Sequence, residues 1–247
     1  MERDNTIAYY YQVAETLKGR IESREYPPGG LLPSEKDLSA EFGVSNITIR
    51  KAMSLLVKQG LVVRRRGVGT RVLETGDQRI PLRITGNFGD WVDSALSRRQ
   101  KLTIEVLDME TVPCPHPVAT ALGRPPGSDI WRLRRIRMLK DEPISYYINY
   151  TPLERMQNVR VDDFREKNFI EVFQAASAIA IDRIEQRVEA TTADMDVAAV
   201  LRIDFGAPLF FITNIYSPAD GGPVEITHMF FRGDRYIYRN VSSLTNG

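Results

Sequence analysis

From Ile7 to Arg24 the apolar positions Tyr10, Val13, Ala14, Leu17 and Ile21 recur at spacings of three and four, which predicts an amphipathic helix. Tyr26-Pro27-Pro28-Gly29-Gly30 cannot extend it, because proline lacks an amide hydrogen and the two glycines favour a turn. Ser34 with Asp37 three residues later makes a capping pair, so a short second helix runs from Ser34 to about Phe42. Gly43 ends it and Ser45 caps the next, a separation of about three residues that matches helix-turn-helix spacing. In the third helix Ile49, Ala52, Met53, Leu56 and Val57 form the predicted buried stripe, while Asn46, Ile47, Arg50 and Ser54 project from other faces. Gly60 stops this helix. Leu61–Arg66 and Gly67–Val72 then read as a hairpin with an arginine-rich arm, a wing.

Glu74–Arg79 is polar and without periodicity, which divides the chain into a first domain over 1–75, a linker over 76–79 and a second domain over 80–247. The second domain opens with a helix-like stretch around Phe88, Trp91, Val92, Ala95 and Leu96. Strands are predicted at Leu102–Val112, Asp129–Leu139, Ile144–Tyr150, Ile181–Ala190, Leu209–Tyr216 and Val224–Phe231. Helices are predicted at Pro117–Leu122, Asp162–Ala176 and Thr192–Ile203, the last opening with the capping pair Thr191 and Asp194. This order gives an α+β fold: a largely antiparallel sheet with helices on one side.

The strand Ile130–Leu139 carries the most chemistry. Alternation puts Trp131, Leu133, Arg135, Arg137 and Leu139 on one face and Arg132 and Arg134 on the other. Two arginines thus interrupt an apolar face, about 7 Å apart at adjacent same-face positions. An unpartnered buried guanidinium costs several kcal/mol, so Arg135 and Arg137 require anions, supplied by a protein carboxylate or by a ligand. A guanidinium fork suits a carboxylate, phosphate or sulfonate.

Composition narrows the rest. The 247 residues are 43% hydrophobic and 26% charged, an ordinary globular balance with length enough for two domains. The net charge of +1 hides a small asymmetry, with 12 basic and 9 acidic residues in 1–75 against 21 and 23 in the remainder. No apolar run approaches the roughly 18–20 residues of a membrane helix, and MERDNT lacks a signal-peptide core, so a cytoplasmic protein with no membrane partner is expected. One cysteine and two histidines speak against an internal disulfide and a transition-metal site, and no metal or cofactor is expected. No serine, cysteine or histidine trio shows a local signature of nucleophilic catalysis. His228, on the strand face opposite Glu225, reads as a core or interface histidine. Cys114 and His116 read as surface packing in the VPCPHPV loop, and Asp234 with Arg235 as a turn pair.

The run LLPSEKDLSAEFGVSNITIRKAMSLLVKQGLVVRRRGVGTRV resembles the winged-helix DNA-binding domain of the GntR family of bacterial transcription regulators, over roughly Tyr10 to Val72. The resemblance implies that Arg50 contacts guanine and that Lys36 contacts either a guanine edge or a phosphate. It also implies phosphate contacts by Ser34, Ser45 and Thr48, and entry of Arg66 with Gly67 into the minor groove. Asn46 stands where arginine is common and has the donor and acceptor that read adenine, and Ile47 stands where serine or threonine is common. Alternate strand residues face opposite ways, so the roles of Arg64 and Arg65 stay open.

Downstream, RIRMLKDEPISYY, the NFIEVF helix and the ending GGPVEITHMFFRGDRY resemble the UTRA effector domain of the HutC subfamily, over about Ile80 to Tyr238. That resemblance implies a chorismate-lyase-like fold, a homodimer, and a small-metabolite effector that tunes affinity for double-stranded operator DNA. It implies effector contacts by Arg135, Arg137 and Glu225 and a backbone anion-binding loop at Phe88-Gly89. Tyr147, Phe231, Asn168 and Ile170 depart from the family pattern. Together with Met229 and Phe88 these point to a more aromatic pocket and an anionic effector other than a sugar phosphate. A salt bridge from the arginines to Glu225 or another acid is the competing reading. A metabolite-responsive repressor is the expected function, and an enzyme with chorismate-lyase-like activity is the alternative.

Overall fold

The computed structural model describes residues 8–65, 67–73, 79–82, 102–164 and 167–239. The chain separates into two compact units, Met1–Gln78 and Arg79–Gly247. The predicted helix around Phe88 to Leu96 and most of the polar stretch after Glu74 lie outside the described residues.

In the first unit, α1 (Tyr9–Glu22), α2 (Glu35–Phe42) and α3 (Asn46–Lys58) pack on a two-stranded wing, β1 (Val62–Arg65) and β2 (Gly69–Val72). Each helix start has a chemical cause. Ser34 caps α2 in a reciprocal capping box with Asp37, and Ser45 caps α3 by accepting the Thr48 amide. Between them Gly43 adopts φ +63°, a left-handed conformation that turns the chain from one helix into the next. Val13, Leu17, Leu38, Ile49, Met53, Leu56, Val62 and Val72 form one core. Val57, predicted to be buried, is 40% exposed instead. One heptad-like stripe on a short helix has room for only four inward positions here: Ile49, Ala52, Met53 and Leu56.

The second unit is built on a six-stranded antiparallel sheet of order β4-β5-β6-β9-β8-β7, with β4 Leu102–Pro113, β5 Asp129–Leu139, β6 Glu142–Thr151, β7 Arg183–Thr192, β8 Pro208–Ser217 and β9 Glu225–Arg232. A separate parallel pair joins β3 (Ile80–Leu82) to β10 (Tyr236–Tyr238), elements too short to leave a periodic signal in the sequence. Helices cover both faces, not one. On one face α4 (His116–Leu122) packs on Ile130, Tyr150 and Ile226, and α6 (Met195–Leu201) on Ile136, Met138 and Tyr146. On the other, α5 (Phe169–Ser177) packs with Phe164 on Trp131 and Leu133. With helices on both sides, β5 carries buried residues on each face, Trp131, Leu133 and Arg135 on one and Ile130, Ile136 and Met138 on the other.

Two further boundaries differ from the sequence pattern. The predicted helix over Asp162–Ala176 is a 3-10 turn at Val161–Phe164 followed by α5, which starts afresh at the Asn168 cap with its reciprocal partner Glu171. Thr191 belongs to β7, and Asp194 alone caps α6 by accepting the Val197 amide. Cys114, expected at the surface, is 3% exposed and packs beside Val118 and Ile130. His228 sits edge-on to the rings of Tyr150 and Phe211, and its burial pulls the imidazole pKa down to about 4, so it is neutral at physiological pH. Asp234 receives Arg232, while Arg235 pairs with Glu142, tying the β9–β10 turn to β6.

Candidate functional site

Two arginine-bearing surfaces stand out, one on each unit. On the first, the capped start of α3 exposes Asn46 and Arg50. Ser34, Lys36 and Ser45 are exposed beside α2 and α3, Thr48 is half-buried, and Gly67 is exposed at the wing turn with φ +78°. Among the described residues Arg50 is held at one nitrogen: its Nε donates to Glu35 Oε2 at 2.9 Å. The other oxygen of Glu35 accepts from Arg64 Nη2 at 2.9 Å, which links the third helix to the wing through one carboxylate. The terminal nitrogens of Arg50 keep the forked geometry that matches the O6 and N7 acceptors of guanine. Arg66 lies outside the described residues.

On the second unit, β5 and β6 pair Arg135 with Tyr147 and Arg137 with Ser145, so the predicted shared face is observed. Arg135, Arg137, Tyr147, Asn149, Asn168, Phe169, Thr227 and Met229, with Ile104 and Tyr216, line a pocket of about 540 Å³, part of it open to solvent. Arg135 is buried, and its Nη2 donates to the neutral acceptor Asn149 Oδ1 at 2.9 Å. Its Nε has no hydrogen-bond partner among the described residues. Arg137 interacts with Tyr236, and its guanidinium carbon lies 5.7 Å from the Tyr147 ring centre. Among the described residues neither guanidinium has a carboxylate within 4.0 Å. Aromatic faces offset part of the cost: the Arg135 carbon lies 5.5 Å from the ring of Phe164 and 5.7 Å from that of Phe169. Burial lowers the Arg135 pKa to about 10, which leaves it charged at neutral pH.

Glu225 lies behind this pocket, fully buried, with Asn149 between it and Arg135. Asn149 Nδ2 donates to Glu225 Oε1 at 2.9 Å, and the Thr227 hydroxyl lies 2.9 Å from the same oxygen. Burial raises the carboxyl pKa to about 8, against the opposing pull of these hydrogen bonds and of Arg135. The carboxyl is therefore mainly protonated at pH 7. The direct salt bridge that would have neutralised the arginines is not formed, because an amide occupies the space between the two groups.

The sequence comparisons match this division. The UTRA domain family matches residues 97–237, and the family described as bacterial regulatory proteins, gntR family, matches residues 9–72. The chain belongs to the GntR family. This GntR-family chain is 30% identical to the HTH-type transcriptional regulator GgaR of Escherichia coli, over 95% of the chain and 91% of the relative. It is 28% identical to the HTH-type transcriptional repressor NagR of Bacillus subtilis, over 96% of each. PhnF from Mycobacterium smegmatis shares the fold at TM-score 0.55 and 22% identity, covering 94% of this chain and 100% of that one. The relatives are transcription regulators and not enzymes, which sets aside the chorismate-lyase-like alternative.

The structure places the sequence-derived pocket residues unevenly in this GntR-family chain. Arg135, Arg137 and Tyr147 line one cavity together. Phe231 does not. It is 1% exposed and packs edge-on against Tyr147 and Tyr236, inside the core shared with Ile80 and Leu82. Phe88 and Gly89 lie outside the described residues. Asn168 lines the pocket while capping α5, so it brings the positive end of that helix to the same space. Three contributors escaped the sequence reading. Glu35 left no signal beyond its place at a helix start. Asn149 and Thr227 had one: polar residues at inward positions of two neighbouring strands, paired with each other in register.

Proposed function

We propose that this GntR-family regulator is a repressor that acts in the cytoplasm as a homodimer, with each winged helix reading one half of a palindromic operator. The observation that carries the effector reading is the pair Arg135 and Arg137, a buried and a half-buried guanidinium in a pocket with no carboxylate partner among the described residues. Such a pocket calls for an anion, and its aromatic and apolar walls favour a carboxylate, phosphate or sulfonate on a partly apolar body. Ser34, Lys36, Ser45, Asn46, Thr48, Arg50, Arg66 and Gly67 form the DNA-contacting set, with Arg50 on a base and the hydroxyls on phosphates.

Two half-sites must be bound together for useful affinity, with recognition helices about 34 Å apart on one DNA face. An effector releases DNA only to the extent that it prefers a dimer arrangement whose two heads miss that spacing, and a preference of about 1–3 kcal/mol changes affinity about 5–150-fold. The linker over 76–79 transmits the preference. A thermal-shift screen of small carboxylates, phosphate esters and sulfonates, followed by gel-shift assays on a DNA site selected from a random library, tests the reading. A hit should weaken DNA binding and lose its calorimetric affinity in Arg135→Ala; unchanged affinity in that variant overturns the pocket assignment.

A further inference from the structure

We propose that Tyr236 couples the anion pocket to the linker, so that an anion held by Arg137 loosens β3, the strand with which the second unit begins. The hydroxyl end of Tyr236 meets Arg137 and Ser145, and its backbone pairs with Ile80. The inference rests on the effector reading above and names the residues through which that pocket is regulated.

β3 starts at Ile80, the first residue after the linker over 76–79. Among the described residues it pairs with β10 alone: Ile80 lies opposite Tyr236, and the Ile80 amide donates to the Arg235 carbonyl at 2.8 Å. Pro81 at its centre has no amide to donate. A two-stranded pair this short has little stability of its own, so packing must hold it. Ile80 and Leu82 are buried in one cluster with Tyr236, Phe231 and Met229, and Met229 also lines the pocket. The strand nearest the linker and the pocket wall therefore share a core.

Tyr236 joins them by hydrogen bonding as well. It is 3% exposed, with its ring edge-on to Phe231 at 4.9 Å. Ser145 Oγ donates to the Tyr147 hydroxyl at 3.2 Å. A serine hydroxyl has one hydrogen, so in the 3.3 Å contact between Ser145 and Tyr236 the tyrosine is the donor. The lone pairs of the Tyr236 oxygen are then left to Arg137. Burial and the neighbouring Tyr147 push the Tyr236 pKa up against the pull of Arg137, so the hydroxyl keeps the proton it donates.

An anion in the pocket changes this arrangement. A planar guanidinium binds an anionic group at two points and a neutral hydroxyl at one, so Arg137 turns from Tyr236 to the anion. The buried hydroxyl loses one of its polar contacts, which penalises the position it holds beside Ile80. The turn ahead of β10 cannot absorb the change, because Arg232 grips Asp234 and Arg235 grips Glu142 of β6. The strain passes to β3. Arg135 directs its hydrogen bond the other way, to Asn149. One arginine holds the anion and the other reports it.

Coupling is reciprocal: whatever frees β3 must tighten anion binding by the factor by which the anion frees β3. The test is calorimetry of the full-length chain with inorganic phosphate and with benzoate at constant ionic strength, beside hydrogen exchange of residues 79–82. In the wild type the bound anion should speed exchange of that segment about fivefold or more. Tyr236→Phe keeps the ring and removes the hydroxyl. It should bind the anion about fivefold or more tightly, while exchange at 79–82 no longer responds. Ile80→Ala, outside the pocket lining, should also tighten binding, whereas general damage to the fold would weaken it. Anion binding that leaves exchange at 79–82 unaltered in the wild type, or unchanged affinity in both variants, would overturn the coupling and leave the pocket standing. Failure of both probes to bind the wild type would overturn the pocket reading and this inference together.

Discussion

Arg50 and Arg135 are the same side chain in opposite surroundings. The Arg50 side chain is 68% exposed and ion-paired at one nitrogen to Glu35, whereas Arg135 is buried, bonded to a neutral amide, with Nε unpartnered. The exposed arginine has its charge screened by water and needs only orientation, which one carboxylate supplies. The buried one has lost its water, and the only described anionic group nearby, Glu225, is itself held protonated by the same burial. A reading head can carry an acid at little electrostatic cost. An anion pocket that contained an ionised acid would compete with its own ligand. Under the proposed function the two regions use arginine for opposite purposes: one to sample DNA edges with a pre-set geometry, the other to hold open a demand for negative charge.

The contrast can be broken at four points. The largest effect is expected from Arg50→Ala: losing a base contact worth about 1–3 kcal/mol in each of two half-sites weakens binding to the library-selected DNA about 10²–10⁴-fold, read by quantitative gel shift. Affinity for unrelated DNA should fall far less. Glu225→Gln comes next. The Glu225 pKa rises from an ordinary 4.5 to about 8 on folding, so the folded state keeps a proton that the unfolded chain releases. The wild-type second unit must therefore lose stability as pH climbs from about 5 to 8, by up to about 1.4 kcal/mol per pH unit. The glutamine variant should lack that slope in urea denaturation series, and identical slopes would show that Glu225 is ionised in the folded protein.

Arg135→Met tests the buried half of the comparison in the other direction. Replacing an unpaired buried charge with an apolar chain of similar length is expected to stabilise the empty protein by about 1–4 kcal/mol while abolishing anion binding. A lower melting temperature in that variant would show that the guanidinium is already compensated. The smallest effect belongs to Glu35→Gln. Removing an acid from the proposed DNA-facing surface should raise affinity for unrelated DNA a few-fold at low salt, while freeing the Arg50 fork should relax base preference at one position per half-site. Sites selected by the two proteins from the same random library would reveal this, and indistinguishable selections would deny Glu35 a positioning role.

Much of the architecture was legible along the chain because its causes are local. The capping serines Ser34 and Ser45, the Gly43 turn and the three-and-four spacing of Leu17, Ile49 and Met53 each act within one or two helical turns. The alternation of β5 put Arg135 and Arg137 on one face with no knowledge of neighbouring strands. The misreadings have an equally physical origin. Asp162–Ala176 looked like one helix because its polar pattern allowed it, yet Asn168 offers a stronger cap in the middle. Phe231 looked like a pocket wall because the family resemblance puts a pocket position there. Strand alternation fixes a face and not a position along it, and β3 with β10 claimed that end of the sheet for the core.

By itself, then, the order of residues determined the helix starts, the wing, the strand faces and the presence of two arginines that water could not fully serve, since each follows from backbone geometry over a few positions. Tertiary structure decided the partners. Whether Arg135 would meet Glu225 or Asn149, and whether Arg50 would stand free or be held by Glu35, depended on how segments distant in sequence came into register. Hydrogen bonding and burial operate over a few ångströms of space, and only the folded chain sets those distances.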